Sequence, residues 1–139
     1  MTRTNKLIGP IILLLVFFLP VLALSWSGKC VGIQDGDTIT VLLDGKEQVR
    51  IRLHGIDCPE KGQAFATKAK QFTSDLVFGK TVEIKPTDTD QYGRTIAWVY
   101  VGSKCVNEEI LKASLAWHYK RYSKERHLAE LENQASEER

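Results

Sequence analysis

Asp35-Gly36-Asp37-Thr38-Ile39-Thr40-Val41-Leu42-Leu43-Asp44-Gly45, continued by Gln48-Val49-Arg50-Ile51-Arg52-Leu53-His54-Gly55-Ile56-Asp57-Cys58-Pro59-Glu60, decides the fold of this 139-residue chain. Within it Ile39, Val41 and Leu43 alternate with Thr38, Thr40 and Leu42. Further on, Val49, Ile51 and Leu53 alternate with Arg50, Arg52 and His54. A period of two is the signature of strands with one face turned to a core. Asp35-Gly36 and Asp44-Gly45 are tight-turn signals, because glycine accepts the positive φ that two-residue hairpins demand. With a short strand over residues 31–34, the stretch predicts a three-stranded meander over 31–56 in which the third strand runs from 48 to 56.

Residues 62–78 change period. Phe65, Ala69, Phe72 and Leu76 recur at helical spacing and predict a helix with that face buried, ended by Gly79. Strands follow over 81–85, with Val82 and Ile84 inward, and over 95–101, apolar on both faces and so expected to be buried on both sides. A second helix is expected over 106–117, with Asn107 as its cap and Glu108 and Glu109 in its first turn. A third, over roughly 123–136, is charged and expected to fray. Five short antiparallel strands, a helix after the third and helices at the C-terminus define an α+β, mainly β class. The architecture expected is a small five-stranded barrel of the oligonucleotide/oligosaccharide-binding (OB) type, with a flat α+β sheet as the alternative.

Around this domain, residues 1–25 have the pattern of a signal peptide. Arg3 and Lys6 precede an apolar run over 7–24, and Ala23-Leu24-Ser25 offers small residues for cleavage before Trp26. The alternative is an uncleaved membrane anchor. Cleavage leaves residues 26–139 as one domain, secreted or periplasmic. The whole chain has 19 basic and 17 acidic residues; with Arg3 and Lys6 removed and no acid lost, the mature part is 17 against 17. Formal neutrality argues against a protein that coats nucleic acid by charge alone, so any polyanion contact must come from local patches or a bound cation. Cys30, Cys58 and Cys105 all belong to the mature part, and Cys30 with Cys105 is the first pairing to expect in an exported protein. Zinc is not expected, since no cysteine pair has ligand spacing and His54, His118 and His127 are scattered.

Singly, the polar motifs have ordinary explanations. Asp35-Gly36-Asp37-Thr38 can be a turn, Asp57-Cys58-Pro59-Glu60 a strand end, Asp90-Gln91-Tyr92-Gly93-Arg94 a loop, and Arg52 a solvated side chain. Jointly, a meander gathers Asp37, Asp57 and Arg52 at neighbouring strand ends. Acids so gathered repel one another unless a cation, a proton or an arginine intervenes. These stretches, with Val106-Asn107-Glu108 after them in the same order, resemble the staphylococcal nuclease (thermonuclease) family from about residue 30 to 122.

The resemblance implies the small barrel, and it implies roles for individual residues. Asp37 and Asp57, with the main-chain carbonyl of Cys58, would be calcium ligands, calcium rather than magnesium being the cofactor implied. Arg52 and Arg94 would hold the scissile phosphate, and Glu60 would act as general base or orient the attacking water. Asp35 would support the site, while Tyr92 and Tyr122 would lie near the nucleotide. Lys120 stands where the family has an aromatic residue, and Lys120, Arg121, Lys124 and Arg126 could form a guiding patch or a solvated helix face. A cysteine at 58 adds a thiol open to oxidation beside a hard cation. The activity implied is calcium-dependent hydrolysis of DNA and RNA with little sequence preference, leaving 3′-phosphate ends, by a monomer with no protein partner. The rivals are a barrel that grips single strands without cutting them and a membrane-anchored interaction module.

Overall fold

The computed structural model describes residues 24–119 and 126–138, so the segment expected to be a signal peptide, apart from its last two residues, lies outside the described residues. Eight strands and three helices follow in the order β1 (Trp26–Asp35), β2 (Thr38–Leu43), β3 (Glu47–Leu53), β4 (Ile56–Asp57), α1 (Ala66–Val77), β5 (Thr81–Thr89), β6 (Thr95–Val101), β7 (Lys104–Cys105), α2 (Val106–Lys112), β8 (Trp117–His118) and α3 (Arg126–Glu137). The five long strands are ordered β3-β2-β1-β5-β6, and β3 pairs back to β6 to close an OB-like barrel. The meander stands as expected, with Thr38 opposite Arg52 and Leu43 opposite Glu47. The closing pair is parallel, Ile51 to Thr95 and Arg52 to Ile96, so the barrel is not wholly antiparallel.

Two features let β1 serve both sides of the barrel. It pairs with β2 along residues 29–35 and with β5 along 26–29, and register shifts near Cys30 and Ile33 break its ladder with β2. Such irregularities bend a strand and tighten its twist, which closure requires. The core fills from one face of each strand: Ile39 and Val41, Ile51 and Leu53, Val82 and Ile84, Ala97 and Val99. Asp44 and Gly45 take φ of 52° and 69°, the positive pair that a type I′ hairpin needs. Gly36 does not adopt positive φ; it is glycine for space, since a Cβ there would lie 2.8 Å from Ala69 Cβ and 2.9 Å from Cys58 Sγ.

Several local expectations are corrected. The long third strand breaks at His54-Gly55 into β3 and β4, which turns Asp57 away from the barrel wall to pair with Trp117 of β8. On α1 the fully buried residues are Ala69, Thr73 and Val77, while Phe72 and Leu76 are half-buried and Phe65 is exposed. The buried face is thus offset from the predicted one, because the barrel contacts its small side. Gly79 does follow the helix with φ 74°, and its N–H donates to the Cys30 carbonyl at 2.9 Å. β6 buries only Ala97 and Val99, and its other face is half-covered, with Trp98 lying against His54 and His127.

The C-terminal half departs further. α2 stops at Lys112, and Trp117 belongs to β8. Its N-cap is Cys105, without a side-chain cap; Asn107 is fully buried one position inside the helix. Its Oδ1 accepts the Val99 N–H at 3.0 Å, and its Nδ2 donates to the carbonyls of His54 at 3.0 Å and Ala97 at 3.2 Å. That amide serves strands, not the helix end. α3 has an anchor after all, since Leu128 is fully buried and Ala135 nearly so. The expected Cys30–Cys105 pair is absent. All three cysteines are free thiols, Cys30 facing the Gly32 carbonyl and Cys105 the Asn107 side chain.

Candidate active site

The polar strand ends converge on a cleft of about 670 Å³ lined by Asp35, Asp37, Arg52, Asp57, Glu60 and Arg94, among others. Asp37 occupies the β1–β2 turn and is only 6% exposed. Its N–H donates to Asp35 Oδ1 at 3.1 Å, and its carbonyl accepts the Leu53 N–H at 2.8 Å. Its carboxylate accepts the Cys58 N–H at 2.9 Å and the Thr38 hydroxyl at 3.1 Å. Thr73 of α1 donates to the Gly36 carbonyl at 2.6 Å, so helix and turn are tied together. Asp35 therefore does act on Asp37, through the main chain.

Arg52 sits where β2, β3 and β6 meet, opposite Thr38 on one side and Ile96 on the other. Its Nη1 donates to the carbonyls of Leu53 at 3.0 Å and Ile56 at 2.7 Å. Its guanidinium lies 3.5 Å from Asp37 Oδ2 and 3.3 Å from Asp57 Oδ1. One arginine thus bridges both candidate ligand carboxylates. Arg94, on the turn before β6, is held by Asp90: Arg94 N–H and Tyr92 N–H both donate to Asp90 Oδ1 at 2.9 Å, and Arg94 Nε to Asp90 Oδ2 at 2.7 Å. Arg94 Nη1 reaches Thr38 Oγ1 at 3.4 Å, and its guanidinium stands 5.6 Å from the centre of the exposed Tyr92 ring. Glu60 is exposed on the cleft rim, its N–H capped by Gln63 Oε1 at 2.6 Å.

The electrostatics of the cleft are lopsided. Its described lining holds six acids (Asp35, Asp37, Asp57, Glu60, Asp88, Asp90) against two arginines. Burial, together with the hydrogen bond and negative charge of Asp37, raises the Asp35 pKa to about 6. Burial is the largest cause; the charge of Asp37 adds to it, and Arg52 offsets only part. Among the described residues, no group of three or more His, Cys, Asp or Glu side chains is placed to hold a metal ion. A cation here would rest on two carboxylates, a main-chain oxygen and water. That is a hard-oxygen set with surplus negative charge, and it fits a calcium- or magnesium-like ion. Burial, and then the charges of Asp37 and Asp35, push the Cys58 thiol far up, and it is 2% exposed. It is therefore shielded from the oxidation its sequence position suggests.

Of the residues named from sequence, the cleft unites Asp35, Asp37, Arg52, Asp57, Cys58, Glu60 and Arg94, while Tyr92 stands beside Arg94. Lys120 and Tyr122, with Arg121 and Lys124, lie outside the described residues; Arg126 is exposed at the start of α3. Sequence reasoning missed Tyr119, which lines the cleft and whose N–H donates to the Gly55 carbonyl at 2.8 Å. It also missed Trp117, 44% exposed and directly opposite Asp57. Their signal was the alternation Trp117-His118-Tyr119, hidden by reading the helix through to 117.

The sequence that builds this barrel and cleft is similar to those of known proteins. The sequence profile of the family described as "Staphylococcal nuclease homologue" matches residues 50–139, more than half of the chain. The chain belongs to the staphylococcal nuclease homologue family. It is 45% identical over 95 residues to an "Uncharacterized endonuclease" of Haemophilus influenzae, covering 68% of this chain and 53% of that protein. It is 37% identical over 129 residues to an "Uncharacterized endonuclease" of Escherichia coli O157:H7, covering 92% of this chain and 84% of that one. It is 38% identical over 109 residues to "Micrococcal nuclease" of Shigella flexneri, covering 72% of this chain and 62% of that one.

Proposed function

We propose that this chain is an exported nuclease that hydrolyses phosphodiester bonds of DNA and RNA with little sequence preference. The observation that carries the reading is the convergence of Arg52, Arg94, Glu60, Asp37 and Asp57 on one cleft. A module that only bound nucleic acid would gain nothing from lining its groove with six acids, whereas a hydrolytic site uses them.

In this reading Asp37, Asp57 and the Cys58 carbonyl hold a divalent cation, calcium in the first instance, which when bound supplies Lewis-acid charge at the phosphoryl oxygens. The arginines hold the same phosphate by paired N–H donors and stabilise the charge that grows on its oxygens. Glu60, exposed on the rim, orients a water and takes its proton as the oxygen attacks phosphorus. The bond to the 5′ oxygen breaks, that oxygen gains a proton, and a 3′-phosphate remains. Tyr92 and Tyr119 offer rings to the flanking bases, a role assigned also to Tyr122, while the Lys120 ammonium attracts phosphate. Residues 1–25 are the signal peptide and 26–139 the secreted or periplasmic domain, a monomer; the mass of the exported chain would report cleavage before Trp26.

The test is hydrolysis of single-stranded DNA and of RNA in calcium, magnesium and chelator, with Arg52→Ala and Glu60→Gln beside wild type. Losing one charge-stabilising donor costs on the order of 10²–10³-fold in kcat, and losing a general base costs on the order of 10²–10⁴-fold. Full activity in either folded variant would refute the role assigned to that residue.

A further inference from the structure

One arginine on the same strand as Arg52 has no part in that mechanism. We propose that Arg50 holds a second backbone phosphate, that of the nucleotide adjoining the scissile bond on the same substrate strand. The proposal rests on the nuclease reading and extends it by one subsite.

Arg50 and Arg52 project from the same, outer face of β3, opposite Thr40 and Thr38 respectively. Two residues along a strand span roughly 6.5 Å, so the two guanidinium groups begin from neighbouring points on one line. Arg50 is exposed, and its Nη2 donates to the Tyr92 carbonyl at 3.0 Å. That contact places it on the turn that carries Arg94, whose own guanidinium stands over the Tyr92 ring. Arg50, Tyr92 and Arg94 thus form one rim, continuous with the cleft that holds Arg52.

The three arginines differ in what already meets their charge. Arg52 lies against Asp37 and Asp57, and Arg94 against Asp90. Arg50 makes no ion pair among the described residues, and its hydrogen bond is to a neutral carbonyl. A guanidinium has five N–H donors, so most of the fork is open to solvent. It can meet two phosphate oxygens at once without first displacing a carboxylate. The need for such a group follows from the cleft's surplus of acids and the neutrality of the mature chain: a polyanion must find its positive charge at particular rim positions. The ligand is therefore a phosphodiester, identified by charge and geometry and not by base.

The experiment compares wild type, Arg50→Ala and Arg50→Lys on an oligothymidylate that runs past the cleft and on the dinucleoside monophosphate of thymidine, which has no second phosphate. The expected result is that Arg50→Ala raises KM for the oligothymidylate roughly ten-fold more than KM for the dinucleoside, the scale of one exposed charge-assisted hydrogen bond. Arg50→Lys, which keeps the charge but not the fork, falls between. Binding of the oligothymidylate by fluorescence anisotropy, with calcium present, becomes less salt-dependent in Arg50→Ala, the log–log slope shrinking by about 0.7. An equal fall in kcat on both substrates would overturn the proposal, because Arg50 would then only hold the Tyr92 turn. Unchanged KM and unchanged salt slope would overturn it too. If wild type cleaves neither substrate, the nuclease reading fails, and the anisotropy slope alone decides Arg50.

Discussion

Asp90 shows how one side chain can place another. Burial works to raise its pKa, but the N–H groups of Arg94 and Tyr92 and the Arg94 guanidinium outweigh that and hold it below its ordinary 3.8. A depressed carboxyl stabilises the fold above its unfolded pKa and loses that contribution only as pH falls through the lower, folded value. The Asp90–Arg94 latch should therefore stay closed until pH has dropped below 3.8, as an NMR titration of the Asp90 carboxyl would report. Asp90→Asn keeps one acceptor but loses the ion pair, so Arg94 is left loosely aimed. A small misplacement of a catalytic group costs roughly 10²-fold, and steady-state kinetics should show the loss in kcat. Asn107 is the structural counterpart. Asn107→Ala removes the acceptor of the Val99 N–H and one donor to each of the His54 and Ala97 carbonyls, the Ala97 carbonyl keeping the His54 N–H at 2.8 Å. A buried donor left unpaired costs about 1–3 kcal/mol, so urea unfolding should show a loss on that scale.

Among the elements, the β1–β2 turn and α1 behave as one unit. Gly36 carries no Cβ because Ala69 and Cys58 stand where it would go, and Thr73 pins the Gly36 carbonyl. Gly36→Ala must push α1 off the turn, and Asp37 moves with it. Overpacking of this kind costs about 1–3 kcal/mol, and activity should fall by more than the loss of stability explains; melting curves read beside kinetics on the folded fraction would check this. The same unit marks the limit of what sequence could show. Strict alternation gave away β2 and β3 and the inward faces of β5, since period two depends only on neighbours along the chain. Asp37, Asp57 and Arg52 were legible as neighbours for a related reason, since a meander brings strand ends together wherever the turns are tight; Arg94, Glu60 and the roles of all five came only from the family resemblance. The parallel β3–β6 closure left no local trace, because strands distant in sequence share no turn. The α1 face was misjudged because a close approach to the barrel selects the small residues Ala69 and Thr73 over the larger Phe72. Asn107 looked like a cap because Ser, Thr, Asp and Asn are favoured at helix starts, and nothing local tells an amide facing solvent from one buried between strands.

At the scale of the whole molecule, the decisive quantity is how charge is distributed over a chain whose formal net charge is only +2. The cleft gathers six acids against two arginines, and the arginines are already turned toward those acids. Such a cleft repels a polyanion until the surplus is neutralised, so cation binding and substrate binding should be linked. Like charges gathered in the folded cleft repel one another, so a cation that binds only the folded cleft must stabilise it. At a calcium concentration 100 times its dissociation constant the gain is about 2.7 kcal/mol, which for a domain of this size raises Tm by several degrees. Asp37→Asn and Asp57→Asn should abolish the calcium-induced rise while leaving a folded protein, because each keeps the shape of the side chain it replaces. Chelator should return wild type to its calcium-free melting point and stop hydrolysis together. A melting point indifferent to millimolar calcium, in a protein that still cleaved DNA, would mean that Arg52 alone balances these acids and that the site works without the ion.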